Sequence, residues 1–179
     1  MQKILFVDTG NSGRSPMAEA LFRQQLGNRL DMEVSSAGTA VTDEKAFPHA
    51  VTVMQERGVD LSGHRPRQVT AKILKESDLV FCMTEGHRDS LSHYFPDEAH
   101  KLRLLGEAVP GLKAEAMDVK DPHFGSVEEY RATRNVLRDA MPHVEAAADK
   151  AGLYASLANA EWIRMAKDSL REILRDQVK

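Results

Sequence analysis

Apolar and polar positions along the chain switch between a strand-like and a helical repeat. After Lys3 the run to Val7 is continuously apolar and rich in residues that favour strands, which predicts a central parallel strand covered on both faces. Pro16 to Leu26 changes period, with Met17, Ala18, Leu21, Phe22 and Leu26 on one helical stripe. Ser15 is a good N-cap for that helix and Pro16 suits its first position. Glu33 to Ser36 predicts a second strand. Ala46 to Arg57 predicts a helix with Ala50, Val53 and Met54 inward and Gly58 as a left-handed cap. Thr70 to Glu76 reads as a short helix, and Asp78 to Thr84 as another buried strand. Thr84 then caps a helix through Phe95, with Leu91 inward and Pro96 beyond its end. Lys101 to Leu105 is the fourth strand candidate. Strands alternating with helices predict an α/β fold, a doubly wound four-stranded parallel sheet with helices on both faces and any ligand at the carboxyl ends of the strands.

The C-terminal third is helical. Ser126 with Glu129 forms a capping box, followed by an inner stripe of Tyr130, Thr133, Leu137, Met141 and Val144. Pro142 lacks an N–H and crowds the preceding turn, which predicts a kink or break near Arg138 to Met141. Leu157 to Val178 predicts a further helix, with Ile163, Ala166, Leu170 and Ile173 on one side and Trp162 and Met165 beside them. The organisation expected is a domain over 1–150 and a helical extension over 151–179 packed on it. A dimer or partner contact through the Trp162 face is the alternative.

Composition narrows the class. A chain of 179 residues with 42% hydrophobic content suits one domain with its own core and argues against disorder. The net charge of −3 is interspersed, so no basic field points to nucleic acid or an anionic membrane surface. No apolar run approaches the ~20 residues of a membrane span, and the N-terminus leads directly into a strand without a signal-peptide pattern. A lone cysteine, Cys82, excludes an internal disulfide, and a cytoplasmic location is the simplest expectation. Cys82 sits in an apolar strand and reads as a core residue.

The chemistry concentrates in Val7-Asp8-Thr9-Gly10-Asn11-Ser12-Gly13-Arg14-Ser15-Pro16, between the first strand and the first helix. Glycines there let backbone N–H groups fold around a small anion beside a helix N-terminus. Arg14 can add a planar fork for two oxygens. Thr9, Gly10, Asn11, Ser12, Gly13, Arg14 and Ser15 are therefore the candidate phosphate-binding residues. A Walker A loop is rejected, because Asp8 stands where its first glycine belongs and Arg14 where its lysine belongs. A G-x-G-x-x-G dinucleotide fingerprint is absent.

With cysteine at position 8 the stretch would read C-T-G-N-S-G-R-S-P. It resembles the C-x5-R-[ST]-P signature of the low-molecular-weight protein tyrosine phosphatases and of arsenate reductases that share their fold. Ser35-Ser36-Ala37-Gly38-Thr39 resembles that family's S-A-G-T segment. Gly58 to Gln68 resembles its G-[IV]-D-L-x-x-H-x-[AP]-R-Q block, Asp78 to Thr84 its A-D-L-[IV]-x-x-M-[TD] strand, and Asp121-Pro122-His123-Phe124-Gly125 its D-P-x-x-G loop. The resemblance runs from about Gln2 to Val144. It implies that Asp121 is the general acid, that His123 and Phe124 wall the substrate, and that Ser36 and His64, with Ser15, brace the loop through Asn11. No cofactor or metal is implied, and the seven histidines show no ligand spacing. Arsenate reduction needs several cysteines and is set aside.

Two positions depart from the pattern: Asp8 replaces the nucleophilic cysteine, and Gly13 a second loop cysteine common in the family. Asp8 is expected as a carboxylate that occupies part of the anion site, paired with Arg14. Asp8, Arg14 and Asp121 are the candidate catalytic residues, with turnover impaired or lost. The implied partners are a phosphorylated protein, a small phosphomonoester or inorganic phosphate. The readings open at this point are a silent phosphate-site protein acting on or binding phosphotyrosine-type partners, a working phosphatase whose cysteine was changed to aspartate, and an enzyme forming an aspartyl-phosphate. Ser12, polar where a bulky aliphatic is common in phosphotyrosine enzymes, resembles the bacterial branch that includes phosphoarginine phosphatases, but phosphotyrosine is the leading substrate class the resemblance implies, with phosphoarginine next.

Overall fold

The apolar run at the N-terminus forms β1 (Gln2–Asp8), which lies inside a four-stranded sheet of order β2-β1-β3-β4. A computed structural model describes the backbone of residues 1–176 and the side chains of 1–161, 164 and 165. The other strands are β2 (Met32–Gly38), β3 (Leu79–Cys82) and β4 (Leu102–Leu104), and every neighbouring pair is parallel. Register places Asp8 opposite Gly38 and Val7 opposite Cys82, so the sheet's carboxyl edge carries the loop that follows β1.

Alternation along β1 assigns its two faces. Ile4 and Phe6 enter a core with α1 (Arg14–Leu26), α2 (Pro48–Gln55) and α5 (Val127–Asp176). Leu5 and Val7 enter the opposite core, where α3 (Ala71–Glu76) supplies Leu74 and α4 (Glu85–Tyr94) supplies Leu91. Phe6 packs edge-on to Phe22 and stacks with Phe81, with ring centroids 5.7 and 5.9 Å apart. The predicted doubly wound sheet is present. Short 3₁₀ turns at Pro96–Lys101, Leu105–Ala108 and Ala114–Ala116 carry the chain around β4 to the Asp121 loop. Thr70 and Thr84 cap α3 and α4 by accepting from the N–H groups of Ile73 and His87.

Two local expectations change. α1 begins at Arg14, with Gly13 in the cap position, so Ser15 lies in the first turn and caps nothing. Pro142 does not break the last helix: α5 runs unbroken from Val127 to Asp176. A helix-interior proline costs ~3 kcal/mol, but Leu137, Met141, Val144 and Ala148 stay buried on both sides of it, and that packing carries the helix through. Past the domain the described side chains of Leu153, Tyr154, Leu157 and Met165 are exposed. The side chains of Trp162, Ile163, Ala166, Leu170 and Ile173, expected to form the packing face, lie outside the described ones. No helix of the described residues is long and apolar enough to cross a membrane.

Candidate active site

β1 ends at Asp8 and α1 begins at Arg14, and the residues between them fold into a tight loop. Its shape depends on Asn11, which has a left-handed φ of 54°, a conformation asparagine tolerates better than most residues. The side-chain amide of Asn11 donates to Ser15 Oγ and Ser36 Oγ, each at 2.9 Å, while its Oδ1 accepts from the Arg67 N–H at 3.0 Å. Ser36 in turn donates to Glu19 Oε2 at 2.6 Å. His64 Nε2 donates to the backbone carbonyl of Asn11 at 2.8 Å, rather than to its side chain. Ser15, Ser36 and His64 thus all meet Asn11. A side chain at Gly38 would place Cβ 2.5 Å from the Thr9 carbonyl and 2.9 Å from the Asn11 N, so only glycine lets β2 approach the loop this closely.

Asp8 is buried and turned into the loop. Its Oδ1 accepts from the Asn11 N–H at 2.6 Å and its Oδ2 from the Ser15 N–H at 3.0 Å. The carboxylate therefore takes up one amide of the loop and one in the first turn of α1. The expected Asp8–Arg14 pair is not formed. Arg14 Nη2 instead donates to Asp121 Oδ2 at 2.5 Å, and Nη1 to the Val119 carbonyl at 3.0 Å. Arg14 is only 3% exposed, and its Nε is a buried donor with no partner. The reason for the swap is positional: Asp8 already has two backbone donors, and the loop after Val119 delivers Asp121 to the outer edge of the guanidinium.

A cleft of about 150 Å³ opens beside this loop, lined by Asp8, Thr9, Gly10, Ser12, Gly13 and Arg14 and, across from them, by Asp43, Phe47, Asp121 and His123. Asp121 Oδ1 accepts from the His123 N–H at 3.1 Å, which fixes the turn carrying the wall. The His123 ring lies 4.9 Å from the Phe47 ring. Phe124 departs from expectation. It is 96% exposed with a φ of 61°, lies tilted against His123 with ring centroids 3.8 Å apart, and does not line the cleft. Phe47 provides the second ring instead.

Sequence reasoning missed three further residues. Asp43 Oδ2 accepts from Ser12 Oγ at 2.7 Å, and a Cβ at Gly10 would sit 2.8 Å from that hydroxyl, so this glycine makes room for the pair. Phe47 closes the wall just described. His87 contacts Thr9 Oγ1 through Nε2 at 2.9 Å and Thr84 Oγ1 through Nδ1 at 2.8 Å. Burial lowers the His87 pKa, and the nearby charge of Arg14 adds to the effect. Helical spacing could have found His87, since it lies one turn before the inward Leu91. Asp43 and Phe47 carry no motif. Behind the site, burial above all, with the charges of Asp121 and Asp43, pushes the Tyr130 phenol up to about 12. Cys82 is buried under the sheet's carboxyl edge, and desolvation pushes its thiol up to about 12, well away from nucleophilic chemistry.

Comparison with known proteins places this geometry. The family model for the low molecular weight phosphotyrosine protein phosphatases matches residues 3–153. A protein-arginine-phosphatase from Bacillus subtilis is 38% identical over 138 residues, covering 76% of this chain and 89% of that protein. A low molecular weight protein-tyrosine-phosphatase from Streptomyces coelicolor is 33% identical over 135 residues, covering 72% and 82%. Among solved structures, a cysteine-to-serine variant of the arginine phosphatase YwlE, with a phosphorylated active-site serine, superposes with a TM-score of 0.75 at 35% identity, covering 83% of this chain and 95% of that one. On the shared fold and the length of the match, the chain belongs to the low molecular weight phosphotyrosine protein phosphatase family.

Proposed function

We propose that this chain is a hydrolytically silent member of its family, a protein that presents the phosphatase cleft to phosphorylated protein side chains without turning them over. One observation carries the reading: the Asp8 carboxylate accepts from the Asn11 and Ser15 N–H groups at 2.6 and 3.0 Å, in the seat that the resemblance gives to a thiolate. A phosphoryl dianion entering the loop meets that fixed charge. At ~4 Å and an effective dielectric near 20, a like-charge pair costs roughly 4 kcal/mol. Asp121, the acid implied by the resemblance, is tied to Arg14 by an ion pair at 2.5 Å. Thr9 to Ser15 are the residues proposed to face the phosphoryl group, braced through Ser36 and His64. The polar Ser12 and the arginine phosphatase among the relatives favour a phosphoarginine-type side chain over phosphotyrosine.

The test compares hydrolysis of an aryl phosphate and of phosphoarginine by this chain and by its Asp8→Cys variant. Turnover by the variant alone is the expected result. Turnover by the unaltered chain that disappears in Asp8→Ala would overturn the silent reading in favour of an aspartyl-phosphate enzyme. A variant that turns over neither substrate would refute the claim that Asp8 alone silences the site.

A further inference from the structure

We infer that Asp43 is the specificity-determining residue of this cleft, reading the guanidino group of a phosphorylated arginine side chain. The inference rests on the reading of the cleft as a phosphoryl-recognition site and names the group attached to the phosphoryl. Asp43 lies on the loop between β2 and α2 and lines the same cleft as Arg14. Among the described residues it pairs with no lysine, arginine or histidine, unlike Asp121 on the same cleft, which pairs with Arg14. Its anchor is a hydroxyl: Ser12 Oγ donates to Oδ2 at 2.7 Å. That single bond orients the carboxylate and leaves Oδ1 with its acceptor capacity free.

The surroundings select what Oδ1 can accept. Phe47 and His123, with rings 4.9 Å apart and inclined at 37°, line the same cleft with aromatic faces. A planar guanidino group stacks on such a surface and presents N–H donors in its own plane. In a phosphorylated arginine those donors lie beside the phosphorus-bearing nitrogen, within reach of a carboxylate at the rim of the loop. A phosphotyrosine carries carbon in the corresponding positions. It would cover Asp43 without offering a hydrogen, leaving a desolvated charge unpaired, which is the stronger form of discrimination. The negative charge of Asp43 also disfavours any ligand that is purely anionic. The Ser12–Asp43 pair therefore does two things at once: the serine lowers the bulk at the mouth of the loop, and the carboxylate replaces it with an acceptor.

The test uses the full chain with Asp8→Ala, which clears the carboxylate from the loop and supplies no nucleophile. Titration calorimetry is run with phosphoarginine, phosphotyrosine and inorganic phosphate, with and without Asp43→Asn. The isosteric asparagine keeps the Ser12 bond, and thermal unfolding verifies that both variants are folded. The expected result is a loss of tenfold or more in phosphoarginine affinity in the double variant, with phosphotyrosine and inorganic phosphate bound as tightly as before or more tightly. Equal weakening of all three would overturn the inference by making Asp43 a support for the loop. No change in any of them would overturn it by removing Asp43 from recognition. Binding of none of the three by Asp8→Ala alone would overturn the phosphoryl-site reading, and this inference with it, whereas phosphate binding with no Asp43-dependent preference would overturn this inference alone.

Discussion

Replacing Asp8 by alanine removes a side chain that is 3% exposed and accepts two backbone hydrogen bonds at the start of α1. Hydrogen bonds to a charged group contribute about 1.5–3 kcal/mol each. Relief of the buried charge, with Asp43 and Asp121 on the same cleft, offsets part of that, and a net loss of about 3 kcal/mol is expected. For a domain of this size 1 kcal/mol moves the unfolding midpoint by roughly 2–4 °C, so Asp8→Ala should melt roughly 6–12 °C below the parent. The freed N–H groups of Asn11 and Ser15 should then donate to phosphate. A ligand at 100 times its Kd stabilises by about 2.7 kcal/mol, enough to restore most of the loss. The parent meets the ~4 kcal/mol repulsion worked above, close to a thousandfold in affinity, and should shift by less than about 1 °C at the same phosphate concentration. The assay is thermal unfolding with phosphate against a matched chloride control. Equal phosphate stabilisation of the two proteins, or a variant that melts with the parent, would refute the claim that the carboxylate is seated in the anion site.

Cys82, with its thiol pushed up to about 12 by burial, should resist alkylation at neutral pH in the folded chain and react fully in denaturant; stoichiometric labelling of the native protein would contradict its placement. His87 is held below its ordinary 6.5 by burial and by Arg14, so the unfolded chain binds a proton that the folded one resists. Its contribution is therefore complete above about pH 6.5 and falls as the pH drops below that. Urea midpoints near pH 7.5 and pH 5.5 should diverge less in His87→Gln than in the parent, and an identical pH response would exclude the assignment.

The sheet was legible because its strands are short apolar runs bounded by turn residues, and Ile4 to Val7 or Leu79 to Cys82 could bury both faces only inside a parallel sheet. The loop was legible as well, since glycine spacing and Arg14 are local signals. What escaped was decided at a distance. Whether Arg14 pairs with Asp8 or Asp121 depends on where the loop after Val119 lands, 105 residues away. Pro142 reads as a breaker by propensity, and only the buried residues on either side of it overrule that. Asp43 and Phe47 sit in a stretch with no repeat or motif, and they gain meaning from Ser12 and His123 across the cleft. The outward turn of Phe124 follows from a positive φ that its residue type argues against.

The bracing of Asn11 also bears on when the loop can exist at all. Its partners Ser36, His64 and Arg67 lie 25, 53 and 56 residues downstream, and Arg14 waits for Val119 and Asp121 at separations of 105 and 107. Closing contacts of that span has an entropic cost that must be met before they stabilise anything. A nascent chain that has exposed only β1 and α1 holds every residue of the loop and none of its distant supports. The cradle should consequently be among the last features to order during synthesis, and a chain halted before Val119 would leave Arg14 without either of its acceptors.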